Sequence, residues 1–240
     1  MALLQFHFVT STGRLFNSQS VLDTSECLWL ERGKVLMRLA VIYFGSLKSA
    51  FAQAQDWNRY ALCIVASNDI SSIFSRFDRL QIFAYTHRQD SDMMKKVGDP
   101  SNHGLFLDWA DVPICELSRL ERELSSKGKR IIVNTGWGST TRTEYPGAHM
   151  LLVESFIGTN SGDNGVFPVT YGLRDERVDM ARVSALKQLG YEVVALSYGP
   201  SSGRALCEHC QRSAAEAGAD YFIYCQAPGW EMEGAGFEFS

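Results

Sequence analysis

Gly104-Leu-Phe-Leu-Asp108 opens a stretch, residues 104–154, in which one pattern occurs three times: a short apolar run closed by a polar residue. The second instance is Arg130-Ile-Ile-Val-Asn134 and the third is Met150-Leu-Leu-Val-Glu154. Between the first two lies Val112 to Lys127, where Ile114, Leu117, Leu120 and Leu124 recur at helical spacing with charges opposite them. Antiparallel strands with one wet face alternate apolar and polar residues. Runs this short and this uniformly apolar read instead as strands buried on both faces, the mark of a parallel sheet.

The pattern extends outward in both directions. Upstream lie Leu39-Ala-Val-Ile-Tyr-Phe44, Ala61-Leu-Cys-Ile-Val-Ala66 and Leu80-Gln-Ile-Phe-Ala-Tyr85. Downstream lie Glu192-Val-Val-Ala-Leu196 and Tyr221-Phe-Ile-Tyr-Cys225. Helix-like stretches separate the runs: Leu47 to Arg59, Asp175 to Leu189 before Gly190, and Arg204 to Ala217 before Gly218. Eight strand–helix units predict an α/β fold, a single compact (β/α)8 TIM barrel rather than an open doubly wound sheet. The predicted division is an N-terminal extension over 1–33, a covering segment or extra edge element, and a barrel catalytic domain over 34–240.

The 240 residues are 45% hydrophobic, enough for a full-size core, and 21% charged. A net charge of −4 argues against a nucleic-acid partner bound through a basic surface. No apolar run approaches the roughly 20 residues of a membrane span, so no membrane partner is expected. The start, Met1-Ala-Leu-Leu-Gln-Phe-His-Phe-Val, lacks the basic n-region of a signal peptide. Six cysteines are too sparse for a disulfide scaffold, and Cys63, Cys115 and Cys225 sit in apolar strings. The expectation is a reduced, cytoplasmic protein. The oligomeric state is left open.

In a barrel, chemistry gathers at the C-terminal strand ends. Strands four, five and six end in Asp108, Asn134 and Glu154. Strands seven and eight end near Tyr198 and Gln226, and the first three offer Tyr43, then Asn68 and Asp69, then Tyr85 and His87. Asp108 as a helix cap and Glu154 as an arginine's partner would be the bland explanation. Two carboxylates facing one pit are instead what glycoside hydrolysis requires. One donates a proton to the leaving oxygen, and the other attacks the anomeric carbon or activates water.

The endings Leu-Phe-Leu-Asp108, Ile-Val-Asn134 and Val-Glu154-Ser resemble those of the endo-α-1,4-polygalactosaminidase and spherulin-like glycoside hydrolases. So do Leu39-Ala-Val-Ile-Tyr-Phe-Gly-Ser-Leu47 and Ile82-Phe-Ala-Tyr85, and the similarity runs from about residue 35 to 230. The resemblance implies a (β/α)8 barrel acting on amino-sugar polymers such as α-1,4-linked galactosamine or N-acetylgalactosamine. It puts the catalytic pair at Asp108 and Glu154, with Asn134 in support and a carbohydrate as partner. Where many relatives carry Gly-Glu after the third strand, this chain has Thr86-His-Arg-Gln-Asp90. A non-catalytic sugar-binding barrel is the first rival. A phosphate-handling barrel with its ligand at Gly199-Pro-Ser-Ser-Gly203 is the second.

Glu154 is favoured as the proton donor, with the order left open. Substrate-binding candidates are Asn134, Tyr43, Tyr85, Trp109, Trp137, Tyr198, Gln226 and Trp230. The indoles suit the C–H face of a sugar, or else cover the barrel mouth. Ile157-Gly-Thr-Asn-Ser-Gly-Asp-Asn-Gly165 is a long turn-rich loop, a lid or an ordinary surface loop, with Asp163 as a further carboxylate. Cys207-Glu-His-Cys210 lacks the second pair that a zinc site needs, and His87 with Asp90 is a weak metal candidate. No metal and no organic cofactor are expected.

Overall fold

A computed structural model of the chain describes residues 37–43, 57–66, 77, 79–87, 91–109, 111–136, 144–160, 171–200 and 203–225, with four two-residue strands before them. Eight parallel strands close into a barrel. They are β1 (Arg38–Tyr43), β2 (Leu62–Val65), β3 (Gln81–Thr86) and β4 (Gly104–Leu107), then β5 (Arg130–Asn134), β6 (Met150–Val153), β7 (Glu192–Tyr198) and β8 (Tyr221–Cys225). Each strand pairs with the next in sequence, and β8 closes on β1 with Tyr221 opposite Arg38 and Phe222 opposite Leu39. The (β/α)8 barrel expected from the apolar runs is the fold observed.

The described helices are α1 (Met93–Gly98), α2 (Ile114–Ser125), α3 (Glu176–Gln188) and α4 (Arg204–Glu216). In α2, Leu117, Leu120 and Leu124 are buried as their spacing requires, but Ile114 in the first turn is exposed. In α3, Asp175 caps the start by accepting N–H bonds from Arg177 (3.0 Å) and Val178 (3.4 Å). The buried face of α3 carries Asp179, Val183 and Leu186, while Val178 points to solvent. Of the helix expected over Leu47 to Arg59, Trp57–Arg59 form a 3-10 turn, and residues 44–56 lie outside the described ones. Before the barrel, Phe8–Val9 pairs with Leu15–Phe16 and Leu30–Glu31 with Lys34–Val35. Neither ladder joins the barrel sheet. No described helix is long and apolar enough to cross a membrane.

Strand pleating sorts the apolar residues into two layers. Ile42, Ile64, Phe83, Phe106, Ile132, Leu152, Leu196 and Ile223 fill the barrel interior. Their sequence neighbours Val41, Val65, Ala84, Leu107, Val133, Val153 and Ala195 point outward, where Leu117, Leu120, Leu124, Val183 and Leu186 cover them. A carboxylate or amide two residues past an inward apolar residue must face the barrel axis. Asp108 follows Phe106 in this way, Asn134 follows Ile132, and Glu154 follows Leu152. Tyr85 bears the same relation to Phe83, and Tyr198 to Leu196.

The turn after β6 is bent hard. Ser155 and Ile157 have φ of 54° and 62°, in the left-handed region that residues with side chains avoid. The backbone polar groups of Phe156 and Ile157 are nonetheless held. Phe156 N–H donates to Leu196 O (2.8 Å), and Ser197 Oγ donates to Phe156 O. Ile157 N–H donates to Asp179 Oδ2 (2.8 Å), and Ile157 O accepts from Arg174 N–H (2.7 Å). Gly158 then passes so close to β7 that a Cβ there would lie 2.3 Å from Tyr198 O.

At the opposite, N-terminal end of the barrel two histidines play one part. His103 and His149 immediately precede β4 and β6. The ring Nδ1 of each accepts a backbone N–H from the preceding strand, Ile82 at 3.0 Å and Ile131 at 3.2 Å.

Candidate active site

Five side chains on five consecutive strands form one hydrogen-bonded chain across the C-terminal mouth. Tyr85 on β3 donates its hydroxyl to Asp108 Oδ2. Asn134 Nδ2 donates to Asp108 Oδ1 at 2.8 Å and to Glu154 Oε2 at 2.8 Å. Tyr198 on β7 donates to Glu154 Oε1 at 2.8 Å. Each carboxylate thus receives one phenol and one amide hydrogen, on different oxygens.

The orientation of the Asn134 amide is fixed by chemistry. Its carbonyl Oδ1 accepts the backbone N–H of Gly136 at 2.9 Å, and an N–H can only donate. Gly136 turns the chain back toward Asn134 with φ of 67°, a conformation suited to glycine. Both Nδ2 hydrogens therefore face the carboxylates. The gap between Asp108 Oδ1 and Glu154 Oε2 is at most about 5.6 Å, two 2.8 Å bonds end to end, and about 5 Å once the two N–H bonds diverge. Glu154 is buried, Asn134 is buried, and Asp108 is half-buried. Asp108 is the member of the pair more open to the mouth.

Behind this chain stand residues that the sequence reading passed over. The Arg182 guanidinium of α3 donates to Thr135 Oγ1 (2.7 Å), Thr135 O (3.0 Å) and Gly136 O (3.3 Å). Burial pulls its pKa down from the usual arginine value, while Tyr145, Asp179 and Glu154 pull it back up. Asp179, one turn earlier and 1% exposed, pairs with Arg174 Nε at 3.3 Å as well as holding Ile157 N–H. The signal was present: an acid and a base three residues apart on the inner face of a helix otherwise packed through Val183 and Leu186. Tyr171, on a short strand Tyr171–Leu173 paired with Gly158–Asn160, was also missed. It packs against the inner barrel residues.

The other expected site residues fall elsewhere. Tyr43 is fully buried in the outer layer, its ring edge-on to Trp57 with centroids 5.7 Å apart. Ile42 points inward, so Tyr43 points out, and it does not line the mouth. Trp109, the residue after inward-facing Asp108, is likewise buried in the outer layer with the α2 leucines rather than standing free at the rim. Trp137, Gln226 and Trp230 lie outside the described residues, as do Asn68, Asp69, Asp90 and Asp163. His87 is described and exposed. The loop after Glu154 begins as the paired strand Gly158–Asn160, and its residues 161–170 are outside the described ones.

Cys207 and Cys210 are buried inside α4, where burial pushes the Cys207 thiol up and the Cys210 thiol up to about 11. Neither has the thiolate character of a redox pair. Among the described residues no group of His, Cys, Asp and Glu is arranged to hold a metal ion. The turn from Gly199 to Gly203 is occupied by the Tyr224 phenol, which reaches Pro200 O and Gly203 O at 3.4 Å each. Ser201 and Ser202 lie outside the described residues.

No protein-family model matches the sequence, and no curated protein matches it. Among solved structures, a variant of the glycoside hydrolase domain of PelA from Pseudomonas aeruginosa is 16% identical, with a TM-score of 0.56 over 82% of this chain and 97% of that one. The same domain in a second structure is 15% identical over 78% and 93%, with a TM-score of 0.48. The carboxyl transferase domain of Rhizobium etli pyruvate carboxylase is 12% identical over 78% and 33%, with a TM-score of 0.43. At these identities the likeness to the PelA variant is one of fold: the chain shares its barrel.

Proposed function

We propose that this chain is a glycoside hydrolase that cleaves α-1,4-linked galactosamine or N-acetylgalactosamine polymers with retention of configuration, using Asp108 and Glu154. The observation that carries the reading is the single Asn134 amide shared by the two carboxylates. It brings their nearest oxygens within about 5.6 Å, nearer the 5–5.5 Å carboxyl separation of retaining enzymes than the 6.5–9.5 Å that leaves room for water in inverting ones. The barrel shared with the PelA domain adds support, since that protein is a glycoside hydrolase. The strand-end motifs quoted above supply the substrate class.

Glu154, the more buried carboxyl, is the better proton donor; Asp108, open to the mouth, is the better nucleophile. In the first step Glu154 gives its proton to the glycosidic oxygen. An Asp108 oxygen bonds to the anomeric carbon as the bond to the leaving sugar breaks. In the second, Glu154 takes a proton from water, the water oxygen bonds to that carbon, and the bond to Asp108 breaks. The two carboxyls carry all the proton and charge movement, so the cycle draws on no metal or organic cofactor. Asn134, Tyr85 and Tyr198 hold the pair in place.

The test is to incubate the chain with α-1,4-linked galactosamine and N-acetylgalactosamine oligosaccharides and follow the first-formed anomer by proton NMR. The expected result is an α product. Glu154→Gln and Asp108→Asn are each expected to lose about 1,000-fold or more in rate. A β product overturns the retaining assignment. Sugar binding without turnover overturns the hydrolase reading in favour of a binding barrel.

A further inference from the structure

The carboxylate pair sits on two strand ends, β4 and β6, joined through a third, β5. Strand ends do not by themselves fix a spacing to a few tenths of an ångström; the turns leaving them must be held too. One helix holds both turns. Asp179 and Arg182, three residues apart, share a face of α3. Arg182 grips the turn after β5 at Thr135 O, Thr135 Oγ1 and Gly136 O. Gly136 is the residue whose N–H orients the Asn134 amide. Asp179 grips the turn after β6 at Ile157 N–H, three residues past Glu154. That turn contains two non-glycine residues at positive φ, a conformation that persists only where the surroundings hold it.

From this we infer that Asp179 and Arg182 are positioning residues: a two-pronged clamp on one face of α3 that sets the spacing of Asp108 and Glu154. The inference rests on the hydrolase reading for its kinetic consequences but not for its geometry. Arg182 has a second influence, because its charge interacts with that of Glu154. Arg174 belongs to the clamp as the ion-pair partner of Asp179, with its Nε 3.3 Å from Oδ2.

The experiment uses the full chain and four variants: Arg182→Met, Arg182→Lys, Asp179→Asn and Asp179→Leu. With an α-1,4-linked N-acetylgalactosamine oligosaccharide, Arg182→Met is expected to lower kcat about 100-fold while KM stays within about twofold, the signature of misplaced reacting groups. Asp179→Asn keeps an oxygen for Ile157 N–H and is expected to lose less than about tenfold, where Asp179→Leu loses about 100-fold. A kcat within about threefold of the parent for Arg182→Met overturns the clamp.

The second readout needs no substrate. In carbon-13 carboxyl titrations, loss of the Arg182 charge is expected to raise the Glu154 midpoint, and Arg182→Lys to restore it. A crystal structure of Arg182→Met is expected to show a wider Asp108–Glu154 gap. An unmoved midpoint and an unchanged gap overturn the clamp whatever the activity. A moved midpoint and gap in a chain that hydrolyses nothing sustain the clamp and overturn the hydrolase reading. Should Arg182→Met fail to fold, the Arg182→Lys and Asp179→Asn comparisons decide by the same criteria.

Discussion

The hydroxyl of Tyr198 lies 2.8 Å from Oε1 of Glu154, and both side chains are buried. A hydrogen bond between two buried side chains is worth about 0.5–1.5 kcal/mol net. It selects one rotamer of a long carboxylate side chain. Tyr198→Phe keeps the ring and removes only this hydrogen. The expected outcome in steady-state kinetics is a fall in kcat of about tenfold with KM little changed. Tyr85→Phe should act in the same way through Asp108. Because Asn134 joins the two halves, the double variant is expected to lose less than the product of the single losses. Strictly multiplicative losses would show that the two halves are independent.

Asn134 bridges two carboxyl groups and donates to one oxygen of each. Asn134→Ala leaves both without that donor. A destabilisation of about 1–3 kcal/mol is expected, because each carboxyl group is left with an unmet hydrogen bond. Urea unfolding of the parent and the variant measures it. An unchanged urea midpoint would mean that the amide contributes nothing to holding the pair.

Tyr43 and Tyr85 show how far the sequence could be read. Tyr85 ends its apolar run and Tyr43 stands one residue before the end of its own, and both read as pocket residues. The run Leu39-Ala-Val-Ile-Tyr-Phe44 is apolar at every position, so nothing in it distinguishes the inward from the outward parity. The structure does: Ile42 is inside and Tyr43 outside, against Trp57. The order Asp108, Asn134, Glu154 was legible because each polar residue interrupts its run, and a polar residue tolerates only the mouth. Trp109 misled because adjacency in sequence means opposite faces on a strand. Asp179 and Arg182 leave one local mark, an acid and a base three residues apart on a helix's inner face, but their partners are backbone atoms of distant turns, which that mark does not identify. Tyr43→Phe is accordingly expected to leave kcat/KM within about twofold while lowering stability by no more than about 1–1.5 kcal/mol. A loss of activity comparable with that of Tyr85→Phe would contradict the outward placement.

Gly158 is required by space. An added Cβ would stand 2.3 Å from Tyr198 O, closer than any real contact, and backbone cannot yield cheaply on either side. Gly158→Ala must push the turn after Glu154 away from β7. The expected result is a loss of about 1–3 kcal/mol in urea unfolding. A lower kcat should accompany it, since the displaced turn carries Glu154. Wild-type stability and rate together would show that the turn yields freely, against the held backbone described above.

The last prediction concerns the far end of the barrel. His103 and His149 accept backbone N–H bonds through Nδ1, which only an unprotonated ring nitrogen can do. Burial lowers the pKa of both from the usual histidine value; Lys129 adds to this for His103, and Arg130 for His149. Folding therefore favours the neutral rings. Their stabilisation is complete above the unfolded pKa of about 6.5. As pH falls through that value the unfolded chain takes up protons first, so stability drops until the lower folded pKa is passed. The expected result is a decline in the urea midpoint between pH 7.5 and about 5, shallower in a His103→Asn, His149→Asn double variant that can still accept the two N–H bonds but no longer titrates. Equal slopes in parent and variant would assign the acid sensitivity to other groups, and the two rings would then be anchors without a protonation cost.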